Sequence, residues 1–202
     1  MDSTTVVIKT IGRPTLHAAV ESAKREGLKV LVVSDGCDLP LTGTDVITLG
    51  RKWGFYGGMA ANVGAAIVDT EFITFLDDDD EFAVGAGDII RAKLKENPEI
   101  DLWIGGVRFN EPIFLQGNNL PNFVGKELAL NSERGLTVGN VAMPTYRASI
   151  FAKIPFRDLR ADSPMTDYWH IKECEQAGAK IDWFGEVIYL VRPSGGINGR
   201  GK

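Results

Sequence analysis

Four consecutive carboxylates, Asp77 to Asp80, stand directly after the apolar run 72–76. That run is short, aromatic and β-branched, so it predicts a buried strand. Carboxylates crowded at the end of a strand repel one another, and their pKa values rise unless a positive charge lies nearby. A divalent ion would relieve the repulsion, and hard oxygen ligands suit Mg²⁺ or Mn²⁺. The residue types therefore indicate metal or ligand chemistry at a strand end.

The pleat of a strand decides which of the four carboxylates would act together. If the chain stays extended through the motif, Asp77 and Asp79 point to one side and Asp78 and Asp80 to the other. We therefore place Asp77 and Asp79 at a metal or a ligand. The alternative is a solvated acidic loop, which is the commoner explanation of an acidic run alone. The strand before the run and the elements around it favour the functional interpretation.

Composition limits the classes of function that the chain can have. The 202 residues are enough for one domain with a sizeable core, and 44% hydrophobic and 24% charged residues are ordinary for a globular protein. A net charge of −5 argues against broad nucleic-acid binding, which needs a basic face. Two cysteines are too few for a disulfide framework. No apolar run has the length of a membrane span, and the first residues lack a signal-peptide pattern, so we expect a cytoplasmic protein.

Strand and helix patterns alternate in the first half of the chain. Apolar strands are predicted at 6–8, 30–33, 46–49, 72–76 and 100–104, with Gly105-Gly106 expected to break the last one. Helices are predicted at 14–26, 59–68 and 88–96. This β-α-β alternation predicts an α/β fold with a mostly parallel central sheet and helices on both faces.

The pattern changes after Gly106. Residues 107–136 are rich in Asn, Gly and Pro, and we expect a long irregular excursion, with a hairpin as one form of it. A short helix is predicted at 146–153, a longer one at 165–176 with Ser163 as its cap, and one or two strands at 181–191. The glycine-rich, basic tail 192–202 is expected to be mobile.

Polar residues follow each of the first four predicted strands. Thr10 to Arg13 follow the first, Asp35-Gly36 the second, Arg51-Lys52 the third and the four carboxylates the fourth. Ligands of open parallel sheets bind outside the carboxyl ends of the strands. Carboxylates for a metal beside cations for a phosphate suit a nucleotide diphosphate chelated to a divalent ion. Taken singly, Arg13 and Lys52 also fit solvated charges, and Asp35-Gly36 also fits a plain turn.

The order of these segments resembles family 2 glycosyltransferases with the GT-A fold, whose nucleotide-binding half carries a DXD-type motif. The matching segments are 7–14, 32–36, 61–66 and 72–80. A weaker match at 166–169 is similar to the family's acidic base motif at a helix start. The resemblance covers residues 5 to 190. It implies one GT-A domain over 1–202, with a nucleotide-binding half at 1–106, an acceptor-side half at 107–191 and the tail at 192–202.

The resemblance also implies roles for individual residues. Asp79 would be the direct metal ligand, and Asp77 would lie near the ribose or the metal, which would be Mn²⁺ or Mg²⁺. Asp35 would bind the base, which in this family is often uracil. The nucleotide-sugar-binding residues are therefore expected to be Thr10, Arg13, Asp35, Lys52, Asp77 and Asp78.

Asp167 would be the catalytic base that takes the proton of an acceptor hydroxyl. Its alternative role is that of an acidic residue complementing a helix dipole. His170, three residues on, has three roles open to it: contact with the acceptor, contact with the metal, or neither. Many relatives supply a further metal ligand, commonly a histidine, from the C-terminal region, and this sequence has no histidine after His170.

The expected function is therefore metal-dependent, inverting transfer of a hexose from a nucleotide-diphosphate sugar to an acceptor hydroxyl. UDP-hexose is the expected donor, and the sequence does not identify the acceptor. Two alternatives stay open. One is a non-catalytic nucleotide-sugar or glycan-binding module. The other is a phosphohydrolase of the haloacid-dehalogenase type, although that family places its Asp-x-Asp motif on the first strand rather than the fourth.

Overall fold

The computed structural model describes residues 4–54, 57–109, 144–157 and 166–191, and the backbone of 114–115, 118–119 and 123–124. Its strands are β1 (Thr4–Thr10), β2 (Lys29–Ser34), β3 (Asp45–Thr48), β4 (Phe72–Asp77), β5 (Glu81–Phe82), β6 (Leu102–Phe109), β7 (Phe114–Leu115), β8 (Asn118–Asn119), β9 (Phe123–Val124), β10 (Thr145–Arg147) and β11 (Ile181–Val191). Its helices are α1 (Leu16–Arg25), α2 (Gly58–Ile67), α3 (Ala86–Glu96), α4 (Ala148–Lys153) and α5 (Thr166–Gln176).

The first four strands form a parallel sheet. β1 pairs in parallel with β2 on one side and β4 on the other, and β2 continues to β3. All residues of β1 are buried, as expected for a strand covered on both faces. The register sets Thr10 beside Ser34 and Lys9 beside Asp77. The carboxyl ends of β1, β2 and β4 therefore meet at one edge of the sheet.

The second half of the chain extends the same sheet with mixed directions. Within the described residues the order is β3-β2-β1-β4-β10-β6-β11-β5, and β9 also pairs with β6. β10 is antiparallel to β4 and β6, β11 is parallel to β6, and β5 is antiparallel to β11. The α/β class with a mostly parallel sheet is confirmed. The division into two halves and a tail stays a prediction.

The prediction that Gly105-Gly106 ends a strand is wrong, because β6 runs through both glycines to Phe109. A Cβ atom on Gly105 would lie 2.6 Å from Ile188 and 2.7 Å from Phe184, two side chains of β11. Gly105 therefore leaves room for side chains of the neighbouring strand β11. A glycine in this sequence pattern predicts the end of a strand, but here it serves close packing between two strands.

Other boundaries also differ from the sequence pattern. Tyr146 belongs to β10, between β4 and β6, and the helix predicted from 146 starts at Ala148. Residues 181–191 form one strand with shifts in register, and the two-residue strand β5 was not predicted. β7 and β8 make a hairpin within the expected excursion. Ser163 and the tail 192–202 lie outside the described residues.

Helix α2 packs closely on the parallel strands because it is built from small residues. A Cβ atom on Gly64 would lie 2.4 Å from Val7 of β1 and 3.2 Å from Val33 of β2. On the same helix, the Asn62 amide donates to the Phe156 carbonyl (2.8 Å) and accepts from the Phe156 amide (2.9 Å). This pair of bonds ties the segment after α4 to the nucleotide-binding half expected from the sequence.

Candidate active site

Three of the four carboxylates form one group. Ligand oxygens of Asp77, Asp79 and Asp80 all lie within 4.8 Å of one another. The chain turns directly after β4, where the Asp80 amide donates to the Asp77 carbonyl at 3.1 Å. The expectation that Asp77 and Asp79 share a side agrees with this geometry. The expectation that Asp80 points away with Asp78 is wrong, because the motif is a turn from Asp78 onward and not a continued strand.

Asp78 points the other way and organises the loop after β1. Its fully buried carboxylate accepts from the Thr10 hydroxyl (2.6 Å), from the Ile11 amide (3.1 Å) and from the Arg13 amide (3.4 Å). It also pairs with the Arg13 guanidinium, which lies 3.7 Å from Asp79 as well. Asp78 therefore holds in place two residues expected at the phosphates. Direct contact of Asp78 with a nucleotide sugar stays a prediction.

Asp35, at the end of β2, is buried and bonded to the segment after β3. Its two oxygens accept from the backbone amides of Trp53 and Gly54, both at 2.7 Å. Gly36 adopts φ +79°, and a Cβ atom there would lie 2.7 Å from the Lys52 amide nitrogen, so the two segments approach closely. Lys52 itself is exposed. These contacts orient the Asp35 carboxylate, and its contact with a base stays a prediction.

Lys9 is a member of the site that the sequence reasoning missed. Its ammonium lies 2.8 Å from an Asp77 oxygen, and its side chain is 6% exposed. Burial opposes the charged form, but the negative charges of Asp77, Asp167 and Asp80 outweigh it and raise the pKa of Lys9. The sequence does carry a signal, because a lysine directly after the apolar run 6–8 of a central strand requires a partner when it is buried.

Asp167 lies in the first turn of α5 and is 9% exposed. Burial raises its pKa to about 7, the negative charge of Asp77 adds to this rise, and the ammonium of Lys9 opposes it. The charges of Lys9 and Asp77 both act on this pKa, so the Asp167 carboxyl lies within electrostatic range of both residues. Helix α5 therefore brings the expected base to the acidic group, across more than eighty residues of sequence.

His170 fastens α5 to the sheet. Its Nε2 atom lies 2.5 Å from the Ile154 carbonyl, which can only accept, so Nε2 carries the proton. Its Nδ1 atom then accepts from the Tyr146 hydroxyl at 3.1 Å. Burial lowers the pKa of His170 to about 4, so the ring is neutral. With both nitrogens bonded within the protein, the geometry supports neither an acceptor contact nor a metal contact for His170.

Tyr189 of β11 completes the acidic group and was also missed. Its buried hydroxyl donates to Asp80 at 2.8 Å and accepts from the Asp77 amide at 3.3 Å. Burial, with the charges of Asp80 and Asp77, raises the pKa of this hydroxyl, so it stays a donor. No short motif marks Tyr189, because its partner stands 109 residues away in sequence.

The structure thus gathers most of the expected site residues at one edge of the sheet. Thr10 and Arg13 are joined to Asp78 by hydrogen bonds and an ion pair, Lys9 is paired with Asp77, and Asp167 is coupled electrostatically to Lys9 and Asp77. Asp35 and Lys52 lie along the same edge, at β2 and the segment after β3. Such an arrangement offers oxygen ligands for a hard cation, a guanidinium for phosphate and a carboxyl that exchanges a proton near neutral pH.

No family model and no curated protein matches the sequence. Solved structures do match. One is the S. aureus protein TarS, residues 1–349, with a TM-score of 0.63 at 17% identity over 94% of this chain and 60% of that one. Another is the mannosyltransferase PcManGT of Pyrobaculum calidifontis with GDP-Man and Mn²⁺, with a TM-score of 0.63 at 13% identity over 98% of this chain and 58% of that one. The chain has the GT-A fold.

A third GT-A structure, TarS 1–349 in complex with UDP-GlcNAc, matches with a TM-score of 0.61 at 17% identity, over 94% of this chain and 58% of that one. The chain spans about three fifths of the length of these structures. Among the described residues, no helix combines the length and the apolar character needed to cross a membrane. At these identities the matches establish the architecture alone.

Proposed function

We propose that the protein is a metal-dependent, inverting glycosyltransferase of the family 2 type, which moves a hexose from a UDP-sugar to an acceptor hydroxyl. One observation carries the proposal: the acidic group Asp77, Asp79 and Asp80 follows β4, and the buried carboxyl of Asp167, whose pKa burial raises to about 7, is coupled electrostatically to Asp77. A carboxyl in this state suits a general base working near neutral pH. The carboxylates beside it suit the binding of a diphosphate leaving group through a cation.

The donor set of the acidic group fits a hard divalent ion. Asp77, Asp79 and Asp80 present carboxylate oxygens close enough to share one ion, and oxygen ligands are what Mg²⁺ and Mn²⁺ take. Asp79 and Asp77 would hold it, with Asp80 adjoining. The ion, when bound, supplies positive charge to the diphosphate as the nucleotide departs. The Mn²⁺ in the complex of PcManGT supports this choice by analogy of fold.

The loop after β1 is the proposed phosphate site. Arg13 is about one-third exposed, and its guanidinium is fixed by Asp78 rather than free to sample solvent. A fixed guanidinium binds phosphate at a low cost in side-chain entropy. Thr10 is fixed by the same carboxylate. Two of the solved structures with a similar fold are complexes with UDP-GlcNAc and with GDP-Man. Asp35, at the end of β2, is the proposed contact for the base of such a nucleotide.

Asp167 is the proposed catalytic base. Its carboxylate would accept the proton of the acceptor hydroxyl while the oxygen attacks the anomeric carbon, and the nucleotide diphosphate would leave from the opposite face. The ammonium of Lys9 lowers the pKa of Asp167 that burial raises, and so favours its ionised form. Loss of a general base typically slows a reaction by about a hundredfold or more.

Calorimetry with a panel of UDP- and GDP-sugars, with and without Mn²⁺, tests the donor and the metal together. Asp167→Asn is expected to keep donor binding and to lose at least about a hundredfold in donor turnover. Asp88→Asn is the matched control, since Asp88 is also a first-turn aspartate but is exposed on α3. Equal turnover in wild type and Asp167→Asn would remove the base from the proposal.

The same experiment separates the alternatives. Donor binding without turnover at any Mn²⁺ concentration would identify a binding module instead of an enzyme. Phosphate release from a simple aryl phosphate would revive the phosphohydrolase, which the GT-A fold and the fourth-strand position of the motif do not support.

A further inference from the structure

Lys9 is held in place along its whole length. It stands on β1 next to Asp77 in the parallel register with β4, so both side chains leave the same face of the sheet. A Cβ atom on Gly57, which precedes α2, would lie 3.0 Å from Lys9 Cδ and 3.1 Å from Lys9 Cβ. The backbone at the start of α2 therefore covers the lysine stem. The ammonium has little freedom except to face the carboxylates.

The ammonium serves carboxylates from two separate elements. It pairs with Asp77 at the end of β4 at 2.8 Å, and it interacts electrostatically with Asp167 at the start of α5. Asp77 is at the same time one of the three residues whose oxygens lie within 4.8 Å of one another. A cation supplied by the protein thus already lies on a carboxylate assigned to the metal.

We propose that Lys9 is a built-in counter-cation that competes with the divalent ion for Asp77 and makes tight metal binding depend on the diphosphate. The inference rests on the proposed function for the identity of the metal site. An ion on Asp77 would bring two further positive charges close to an ammonium that the packing under Gly57 keeps from withdrawing. Repulsion at such a distance is large in a partly buried site.

The diphosphate changes this balance because it brings negative charge of its own. With a nucleotide diphosphate on the Arg13 loop, the ion gains phosphate oxygens as ligands and needs less from Asp77. The lysine can then keep its contact with Asp77 while its charge continues to act on Asp167. Metal and nucleotide are therefore expected to bind together, and metal alone weakly.

Mn²⁺ binding without donor, measured by electron paramagnetic resonance, tests the competition without using activity. Lys9→Met removes the charge and keeps the length of the stem, and it is expected to tighten Mn²⁺ binding by about tenfold or more. Lys9→Arg keeps the charge and should keep binding weak. Lys29→Met is the control, because Lys29 makes a similar ion pair with Asp69, 2.7 Å, on the exposed start of β2.

A double-variant cycle assigns the effect to the acidic group. The gain from Lys9→Met should vanish when Asp77→Asn is already present, because the contested carboxylate is then absent. Unchanged or weaker Mn²⁺ binding in a folded Lys9→Met protein, with folding verified by urea denaturation, would overturn the inference. If Lys9→Met fails to fold, Lys9→Arg, which keeps the charge, is compared with Lys9→Gln, which removes it. Equal Mn²⁺ affinity in these two variants would also overturn the inference.

Failure of the proposed function has a different signature. Wild-type protein is also titrated with Mn²⁺ in the presence of UDP. Absence of binding there, in wild type and in every Lys9 variant, would count against the metal site itself. Binding of Mn²⁺ with UDP in wild type, together with no effect of Lys9→Met on Mn²⁺ alone, would leave the metal site standing and refute the competition.

Discussion

Replacing Asp167 by asparagine should remove a loss of stability that grows with pH, so the variant gains in stability relative to wild type as pH rises. Burial raises the pKa of Asp167 from 3.8 to about 7, so the folded state binds this proton more tightly than the unfolded chain does. Stability from this group is therefore full below pH 4 and is lost as pH rises towards 7. Across the two pH units from pH 5 to pH 7, the free energy of unfolding of the wild type falls by about 2–3 kcal/mol from this group. Asparagine has no such loss.

Urea denaturation of the metal-free proteins in chelator, at half-unit steps from pH 5 to pH 8, measures the effect. The free energy of unfolding of Asp167→Asn minus that of wild type should rise by about 2–3 kcal/mol across this range and level off above pH 7. Asp88→Asn, which changes an exposed first-turn aspartate, should show no comparable rise. Parallel pH profiles for wild type and Asp167→Asn would refute the assignment of a desolvated, charge-coupled carboxyl at this position.

Three further substitutions separate the roles of neighbouring residues. Asp79→Ala should abolish Mn²⁺-dependent donor turnover while the urea midpoint stays close to that of wild type. Asp78→Asn should lower the free energy of unfolding by about 2–4 kcal/mol, because a buried carboxylate that holds the Arg13 guanidinium is lost. Urea denaturation measures this change, and a clearly smaller loss would contradict the role given to Asp78. Gly105→Ala should cost about 1–3 kcal/mol by the same measurement, since the added methyl group collides with Ile188 and Phe184.

The parallel half of the sheet was predictable because its signals are local. β1, β2 and β4 contain the short runs 6–8, 30–33 and 72–76 that predicted them, and each strand ends in a polar residue that it carries to the common edge. The grouping of Asp77 with Asp79 was expected from a continued strand, and in the structure it is produced by the turn after Asp77. These inferences needed no knowledge of which distant segments would pack together.

The remaining features depend on contacts that periodicity does not report. Gly105 looks like a breaker until the side chains of β11 are placed over it. Tyr146 looks helical until β4 and β6 are placed on its two sides. Lys9 joins the site by pairing with Asp77, 68 residues away, and Tyr189 by donating to Asp80, 109 residues away. A local sequence pattern does not indicate pairs at such separations.

The hydroxyl of Tyr189 has a consequence for how the protein is made. Asp80 leaves the ribosome 109 residues ahead of the tyrosine that donates to it. At about 5–20 residues per second, translation separates the two by roughly 5 to 20 s. During that interval β1 to β4 can assemble, but the carboxylates stand at an open edge without their final strand. A nascent chain stalled before codon 189 should therefore carry a formed parallel core and an unfinished acidic pocket.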